Sequence, residues 1–524
     1  LLLKKLFAGS ALVQCALRLR DLYQYSFITL IINTVRNAYG TSVFKRIWER
    51  IFGCSDTSTR FSGWSAFLTR FNSALARGGR VIRDAAENSV PARIWKSNAF
   101  RNSLLFRIFF SRGTNRLIIV IFALYLPIDY LLRTYSPVAA VSSAWDEAFL
   151  IFGFLYVLFR RMFAKRALPS RANPYDVPLL LFIGIGFMLL CIVSPYIKIA
   201  IAGYRAVVQY MLWFFILTRV IENDGDIIAF CGTIIATSIL IALHGIYQYI
   251  IAVPIPSNWV AQAEMGVRTR VFSILGSPNV MGSYMVMFAP LTAAFAYKLK
   301  PLWAKVVMWC FTFLMCFACL FTFSRGAWFG MAVAIFIFAL YMDRKLIALM
   351  ALAAGVAVFI PQIANRITFL FTSDFAKANM YGGRAGRRRE GLKILFSVNP
   401  WFGYGLGRFG GAVAMQNQIN SSISYFYMDN YYLKTLIEMG YLGLGGYVFA
   451  LASFIFNAMR SVFRTRGQSV SMISQGMLAG MAGVLAHSFT ENIFEVPYMN
   501  AYFWGMAAIV IYIGFIRKPQ TGET

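Results

Sequence analysis

The chain of 524 residues carries 50 Lys and Arg against 21 Asp and Glu, a formal net charge of +29, yet only 14% of its residues are charged and 59% are hydrophobic. A soluble domain has roughly 25% charged and about 45–50% apolar residues, so this composition cannot clothe a water-exposed surface; soluble, disordered and disulfide-stapled secreted classes are excluded. The mean hydropathy of +0.62 and recurring runs of about 20 apolar residues, each able to cross a roughly 30 Å hydrocarbon core, point instead to an all-α polytopic membrane protein.

Residues 1–115 differ from the rest. They hold 18 Lys and Arg and five acids interleaved with short apolar stretches such as Phe27–Ile32 and Phe44–Phe52. This pattern predicts amphipathic segments lying on an anionic cytoplasmic leaflet rather than spans. A nucleic-acid arm is the disfavoured alternative, because membrane-seeking Phe, Leu and Ile separate the charges. No cleavage site for a signal peptide is expected in this stretch.

From residue 116 the apolar runs predict a transmembrane domain of about twelve helices, at about 117–134, 143–160, 176–194, 199–220, 227–251, 279–297, 303–322, 326–342, 346–365, 432–459, 473–490 and 498–516. With the basic N-terminal region inside, the cytoplasmic loops carry most of the remaining Lys and Arg, and both termini fall on that side. One long loop, 366–431, then faces outward. The seven cysteines lie mostly inside apolar runs and form no disulfide framework; the pair Cys316 and Cys319 reads as packing.

The exceptions to the charge rule are Arg268, Arg270, Arg325, Arg384, Arg387, Arg388, Arg389 and Arg408, all on the outward face. Converging guanidinium forks suit phosphate oxygens; the plainer alternative is a set of solvated loop charges or headgroup anchors. Arg270 precedes a Gly-Ser-Pro-Asn turn in which Pro278 starts a helix beside Asn279, and helix starts favour phosphate. Arg325 sits in TFSRGAW at the junction of two spans. Arg384, Arg387 and Arg388 open a basic helix that leads to a glycine-rich turn, Gly405–Gly410. Those glycines match GxGxxG, but no strand precedes them and a dinucleotide site is rejected.

Asp429 and Asn430 stand where the long loop re-enters the membrane. Asp429 can act as general base towards a sugar hydroxyl or simply cap the next helix. Glu438, about two helical turns on, can orient an arginine or belong to a buried pair. His244 reads as a packed helix residue. His487, followed by Glu491 and Glu495, can join the outer site, but their spacing matches no zinc motif and no metal or other cofactor is expected.

Four segments carry a resemblance: Arg270 to Asn279 ending in SPN, SRGAW at Ser324–Trp328, the stretch from Gly383 to Phe409 containing NPWFGYGLGRF, and DNYYLKTLIEMGYLGL at Asp429–Leu444. In order and spacing they resemble the O-antigen ligase and O-antigen polymerase superfamily of bacterial membrane glycosyltransferases, including polymerases of teichuronic-acid type, over roughly residues 120–515. The resemblance implies a GT-C-like helical fold in the bacterial cytoplasmic membrane. It also implies metal-independent, inverting transfer of a glycan from an undecaprenyl-diphosphate carrier to an acceptor hydroxyl at the outer face, with membrane lipids and no nucleic acid as partners. Carried onto this sequence, the resemblance implies that Arg270, Arg325 and Arg384 hold the diphosphate; together with the reading of the residues themselves, the expected catalytic set is Arg270, Arg325 and Asp429, and the substrate-binding set is Arg268, Asn279, Arg384, Arg387, Arg388, Asn430, Glu438 and His487. Ligases acting on lipid A core usually carry a His where Asp429 stands, which tilts the expectation towards a polymerase. A ligase, or a flippase for the same lipid-linked glycan, is the alternative. Transporters, however, show internal repeats and midplane charges that are not seen here.

Overall fold

The computed structural model describes residues 62–85, 113–164, 168–255, 269–359, 361–380, 383–419 and 427–517. Among them every regular element is helical, as a chain in lipid requires when each backbone donor must be satisfied within its own segment. The expected amphipathic region is described only in α1, Ser62–Ala85. That helix leaves Phe67, Phe71, Val81 and Ile82 exposed, while its Trp64 indole donates to Asp176 at 3.1 Å.

The first expected span is a pair, α2 (Gly113–Ala123) and α3 (Tyr125–Tyr135), bent by 64°. Then follow α4 (Ala139–Met162), α5 (Asp176–Val193), α6 (Ile197–Val208) continuing through a 3₁₀ turn into α7 (Leu212–Val220), and α8 (Asp224–Ile250). The sequence Asn-Asp-Gly-Asp starts α8 cleanly. The Asn223 side chain accepts from the Asp226 N–H at 3.1 Å and the Asp226 carboxylate accepts from the Asn223 N–H at 3.4 Å, so two otherwise orphaned donors are satisfied reciprocally. The second half begins with α9 (Pro278–Lys298), α10 (Leu302–Phe321) and α11 (Arg325–Tyr341). Among the described residues nine helices are long and apolar enough to cross a membrane, or ten with the bent pair; α11, at 17 residues, is a shorter apolar helix.

The ninth expected span, 346–365, is corrected. Helix α12 (Lys345–Val358) is followed by a separate short helix, α13 (Pro361–Thr368). Pro361 lacks the N–H that would continue α12, but its fixed φ suits the first position of a new helix. The long loop then carries α14 (Ser373–Met380), α15 (Arg384–Ser397) and α16 (Ala412–Asn417) before α17 (Tyr431–Arg464), α18 (Ser469–His487) and α19 (Pro497–Ile511).

Helix α9 packs against α10, α11 and α18, and α18 also packs on α11. The close approach of α9 and α18 depends on small residues. A Cβ at Gly476 would lie 2.8 Å from the Pro290 carbonyl oxygen, and one at Gly480 would collide with the Met287 carbonyl. In lipid, where helix association has little hydrophobic driving force, backbone contact of this kind supplies the packing. The starts of α9 and α11 are thereby fixed near the end of α18, while α15 is carried to the same place by its packing on α17.

Candidate functional site

A cavity of about 100 Å³ opens where α9, α11, α13, α15 and α18 meet. Four guanidinium-bearing residues line it: Arg270, Arg325, Arg366 and Arg384. Three of these stand beside elements whose starts the sequence marks plainly. Pro278 is the first residue of α9, Ser324 caps α11 by accepting from the Ala327 N–H at 3.4 Å, and Arg384 opens α15. Free N–H groups and the positive end of each helix dipole add to the guanidinium charges, so the cavity favours an anion twice over. None of the described residues lining it is a carboxylate.

The arginines are held in place rather than left to sweep. Arg270 donates through Nε to the Thr322 carbonyl at 3.1 Å and through a terminal nitrogen to Asn279 Oδ1 at 3.3 Å. Asn279 in turn donates to Glu491. Arg325 donates to the carbonyl of Arg366 at 3.3 Å, and the Arg366 guanidinium lies 5.9 Å from the centre of the Phe323 ring. Arg384 contacts Asp429 Oδ2 at 3.3 Å, and Arg387 reaches the same oxygen at 3.2 Å.

The floor is formed by His487, which is buried and whose Nδ1 lies 2.6 Å from Ser283 Oγ, together with Thr490 and Gly326. Gly326 leaves room that a side chain would close. A Cβ there would stand 2.8 Å from His487 Nε2 and would collide with Thr490 Oγ1.

Two carboxylates flank the cavity. Asp429 is tied to the arginines, and Glu491 to Asn279. Burial, reinforced by the charge of Asp429, pushes the Glu491 carboxyl above the usual carboxylate range, the direction that raises affinity for a proton.

The expected residues divide clearly. Arg270, Asn279, Arg325, Arg384 and His487 share the cavity, and Asp429 and Arg387 stand one contact away. Asn430, not Asp429, caps α17: its Oδ1 accepts from the Leu433 N–H at 2.9 Å while its amide donates to the Phe489 carbonyl at 3.0 Å. The cap role considered for Asp429 is corrected accordingly. Arg388 donates to the Phe489 carbonyl at 3.4 Å and borders a separate groove with Arg389 and Phe396. Arg268 lies outside the described residues.

Of the two roles considered for Glu438, orienting an arginine or joining a buried pair, the structure shows the pair. Glu438 meets Lys434 Nζ at 2.8 Å and accepts from the Phe409 N–H at 3.1 Å. It belongs to the joint between α17 and the glycine-rich turn. There the Tyr404 and Gly405 N–H groups donate to the Ile437 and Glu438 carbonyls at 2.7 and 2.9 Å, and the Tyr441 N–H donates to the Pro400 carbonyl at 2.9 Å. Gly440, at φ 66°, breaks α17 to allow this, a conformation costly for any residue with a Cβ. Arg408 folds onto the same turn, over the Tyr404 ring at 4.1 Å and bonded to its carbonyl at 2.8 Å. His244 is exposed on its helix and hydrogen-bonded to Ser273 Oγ at 2.9 Å.

Arg366 and Thr490 are not among the expected site residues, and Glu491 is anticipated only as an acid following His487. Arg366 sits on a short helix whose signal, an amphipathic turn after Pro361, is hidden when 346–365 is read as one span.

The match to known families falls across this region. Residues 310–448 match the family model described as O-antigen ligase. That segment, about a quarter of the chain, is similar to the O-antigen ligase family. No curated protein matches it. The O-antigen ligase match contains Arg325, Arg366, Arg384 and Asp429, whereas Arg270, Asn279 and His487 lie outside it and reach the same cavity only through the packing of α9 and α18. The family match and the apolar helices together point to an integral membrane protein with an O-antigen ligase-like segment.

Proposed function

We propose that the protein is a polymerase-type inverting glycosyltransferase. It transfers a glycan from an undecaprenyl-diphosphate carrier to an acceptor sugar hydroxyl at the outer face of the bacterial cytoplasmic membrane, with both termini inside and no metal in the reaction. The observation that carries the reading is the convergence of Arg270, Arg325 and Arg384, joined by Arg366, around one cavity.

In this reading the diphosphate lies among the guanidiniums. The acceptor oxygen attacks the anomeric carbon from the face opposite the diphosphate. The carbon–oxygen bond to the carrier breaks with its electron pair passing to the phosphate oxygen, and the arginines stabilise the charge that grows there. The acceptor proton passes to a carboxylate at the cavity mouth, assigned here to Asp429. Because the carrier is already activated, no nucleotide is needed. Thr322 and Asn279 hold Arg270 in place, so its charge is positioned before substrate arrives.

The test is purified protein in proteoliposomes supplied with a carrier-linked repeat unit, with and without a lipid A core acceptor, and product analysis by mass. A polymerase lengthens the glycan without the core; a ligase makes product only with it; a flippase moves the carrier without a new glycosidic bond. Arg270→Ala and Arg325→Ala should each lower transfer by about 10²-fold or more with folding retained. Unchanged transfer overturns the assignment.

A further inference from the structure

A second basic cluster lies far from the candidate site. Helix α8 joins the two regions. Its start adjoins Glu222, and near its other end Gln248 Oε1 accepts from the Phe272 and Ser273 N–H groups next to Arg270. The 27 residues of α8 at 1.5 Å each put about 40 Å between its ends.

At the Glu222 end Arg160, Arg161, Arg171 and Arg219 line one cleft of about 30 Å³. Three of the four are engaged. Arg219 makes a two-pronged contact with Asp176 at 3.0 and 2.9 Å. Arg171 donates to the carbonyls of Thr218, Arg219 and Ile221 at 3.2, 2.9 and 2.6 Å. Arg160 reaches Glu222 at 2.5 Å and Asn115 at 3.2 Å. Arg161 is different. It is only 8% exposed and has no hydrogen-bond or ion-pair partner among the described residues.

The neighbouring acids offer it nothing. Asp224 is occupied by Arg517 at 2.7 Å and Asp226 lies 3.5 Å from Arg116. Four guanidinium charges against Asp176 and Glu222 therefore leave two positive charges uncompensated in one cleft. A buried cation without a partner is costly, and the cost is removed by an anion with several acceptor oxygens. A tetrahedral phosphate matches the guanidinium fork better than a monovalent spherical ion does. Exposed Phe154, Leu155 and Phe159 on α4 beside the cleft provide a surface for acyl chains.

We propose that this cleft binds a phosphate group, with Arg161 as its principal ligand and Arg160, Arg171 and Arg219 framing it. The phosphate comes from the headgroup of an anionic phospholipid or from free inorganic phosphate. Basic pockets between transmembrane helices recognise anionic headgroups in this way.

The test uses full-length protein and its thermal unfolding midpoint. One arm compares nanodiscs containing phosphatidylglycerol with phosphatidylcholine alone; the other compares inorganic phosphate with chloride at equal ionic strength in detergent. Because the arginine cavity described above is itself proposed to hold a diphosphate, both arms are repeated in Arg270→Ala/Arg325→Ala protein. A rise of about 2 °C or more is expected in that background and should be lost in Arg161→Gln. A rise with phosphatidylglycerol alone identifies a lipid headgroup; a rise with inorganic phosphate identifies the free anion. No rise in either arm, a rise that Arg161→Gln keeps in full, or one that disappears with Arg270 and Arg325 overturns the proposal. Should Arg161→Gln not fold, the comparison in the Arg270→Ala/Arg325→Ala background still decides the outcome.

Discussion

Replacing Gly326 by alanine tests the cavity without changing a charge. Gly326 is the second residue of α11, and the new methyl would stand 2.7 Å from His487 Cδ2 and 2.8 Å from Nε2, in collision with Thr490 Oγ1. Something has to move. His487 is anchored at 2.6 Å to Ser283, and the Thr490 hydroxyl is bonded to the His487 carbonyl at 3.0 Å, so neither gives way freely. Overpacking of this kind costs about 1–3 kcal/mol of stability. The larger effect is on chemistry, since the methyl enters a cavity of about 100 Å³ and a displacement of about 1 Å of the reacting groups lowers rates by about 10²-fold. The assay is glycan transfer in proteoliposomes, paired with the thermal midpoint in detergent. Gly445→Ala is the control. It lies on α17 with nothing within 4 Å of a new Cβ and should leave both readouts unchanged or raise the midpoint slightly. Transfer by Gly326→Ala within about twofold of the parent protein would refute the placement of the reaction in this cavity.

Asp429→Asn should lower the turnover number by about 10²–10⁴-fold. If Asn preserves the rate while Asp429→Ala loses it, the residue positions Arg384 and Arg387 instead of taking the proton. Glu491 gives a stability prediction with a definite sign. Its folded-state carboxyl binds a proton more tightly than in the unfolded chain. Its contribution is therefore fully present below the ordinary glutamate range and is lost as pH rises through the raised value. Glu491→Gln, which can still accept from Asn279, should match or exceed the parent midpoint at neutral pH and remove that part of the pH dependence. A parent-like profile in the variant would show that the shift is not there. Glu438→Ala leaves Lys434 buried with Glu495 at 3.8 Å as its remaining acidic partner among the described residues and should cost about 3–5 kcal/mol, read as a loss of thermal midpoint or of folded yield. An unchanged midpoint would mean that the joint between α17 and the glycine-rich turn does not depend on this pair.

The amino-acid order alone determined the helical membrane class, the positions of most of the helices and all but one of the arginines that line the cavity. Apolar run length, Pro278 and the cap residue Asn223 act within a few residues of themselves, so their signals are local. The fold decided what those residues meet. Asp429 and Asn430 are adjacent in the chain and either could cap α17; only packing against the 488–491 turn and α15 gave the cap to Asn430 and the arginines to Asp429. Glu438 and Asp429 are both acids near the start of α17, yet the break at Gly440 and the turn at Tyr404 drew Glu438 into a buried pair. Arg366 joined the site because α13 folds back after Pro361, which a reading of hydropathy merges into one span. Arg270 and His487 are separated by more than two hundred residues, and their meeting depends on α9 and α18 touching through glycines. Contacts between distant segments follow from side-chain shape at helix interfaces, a quantity that periodicity along the chain does not contain.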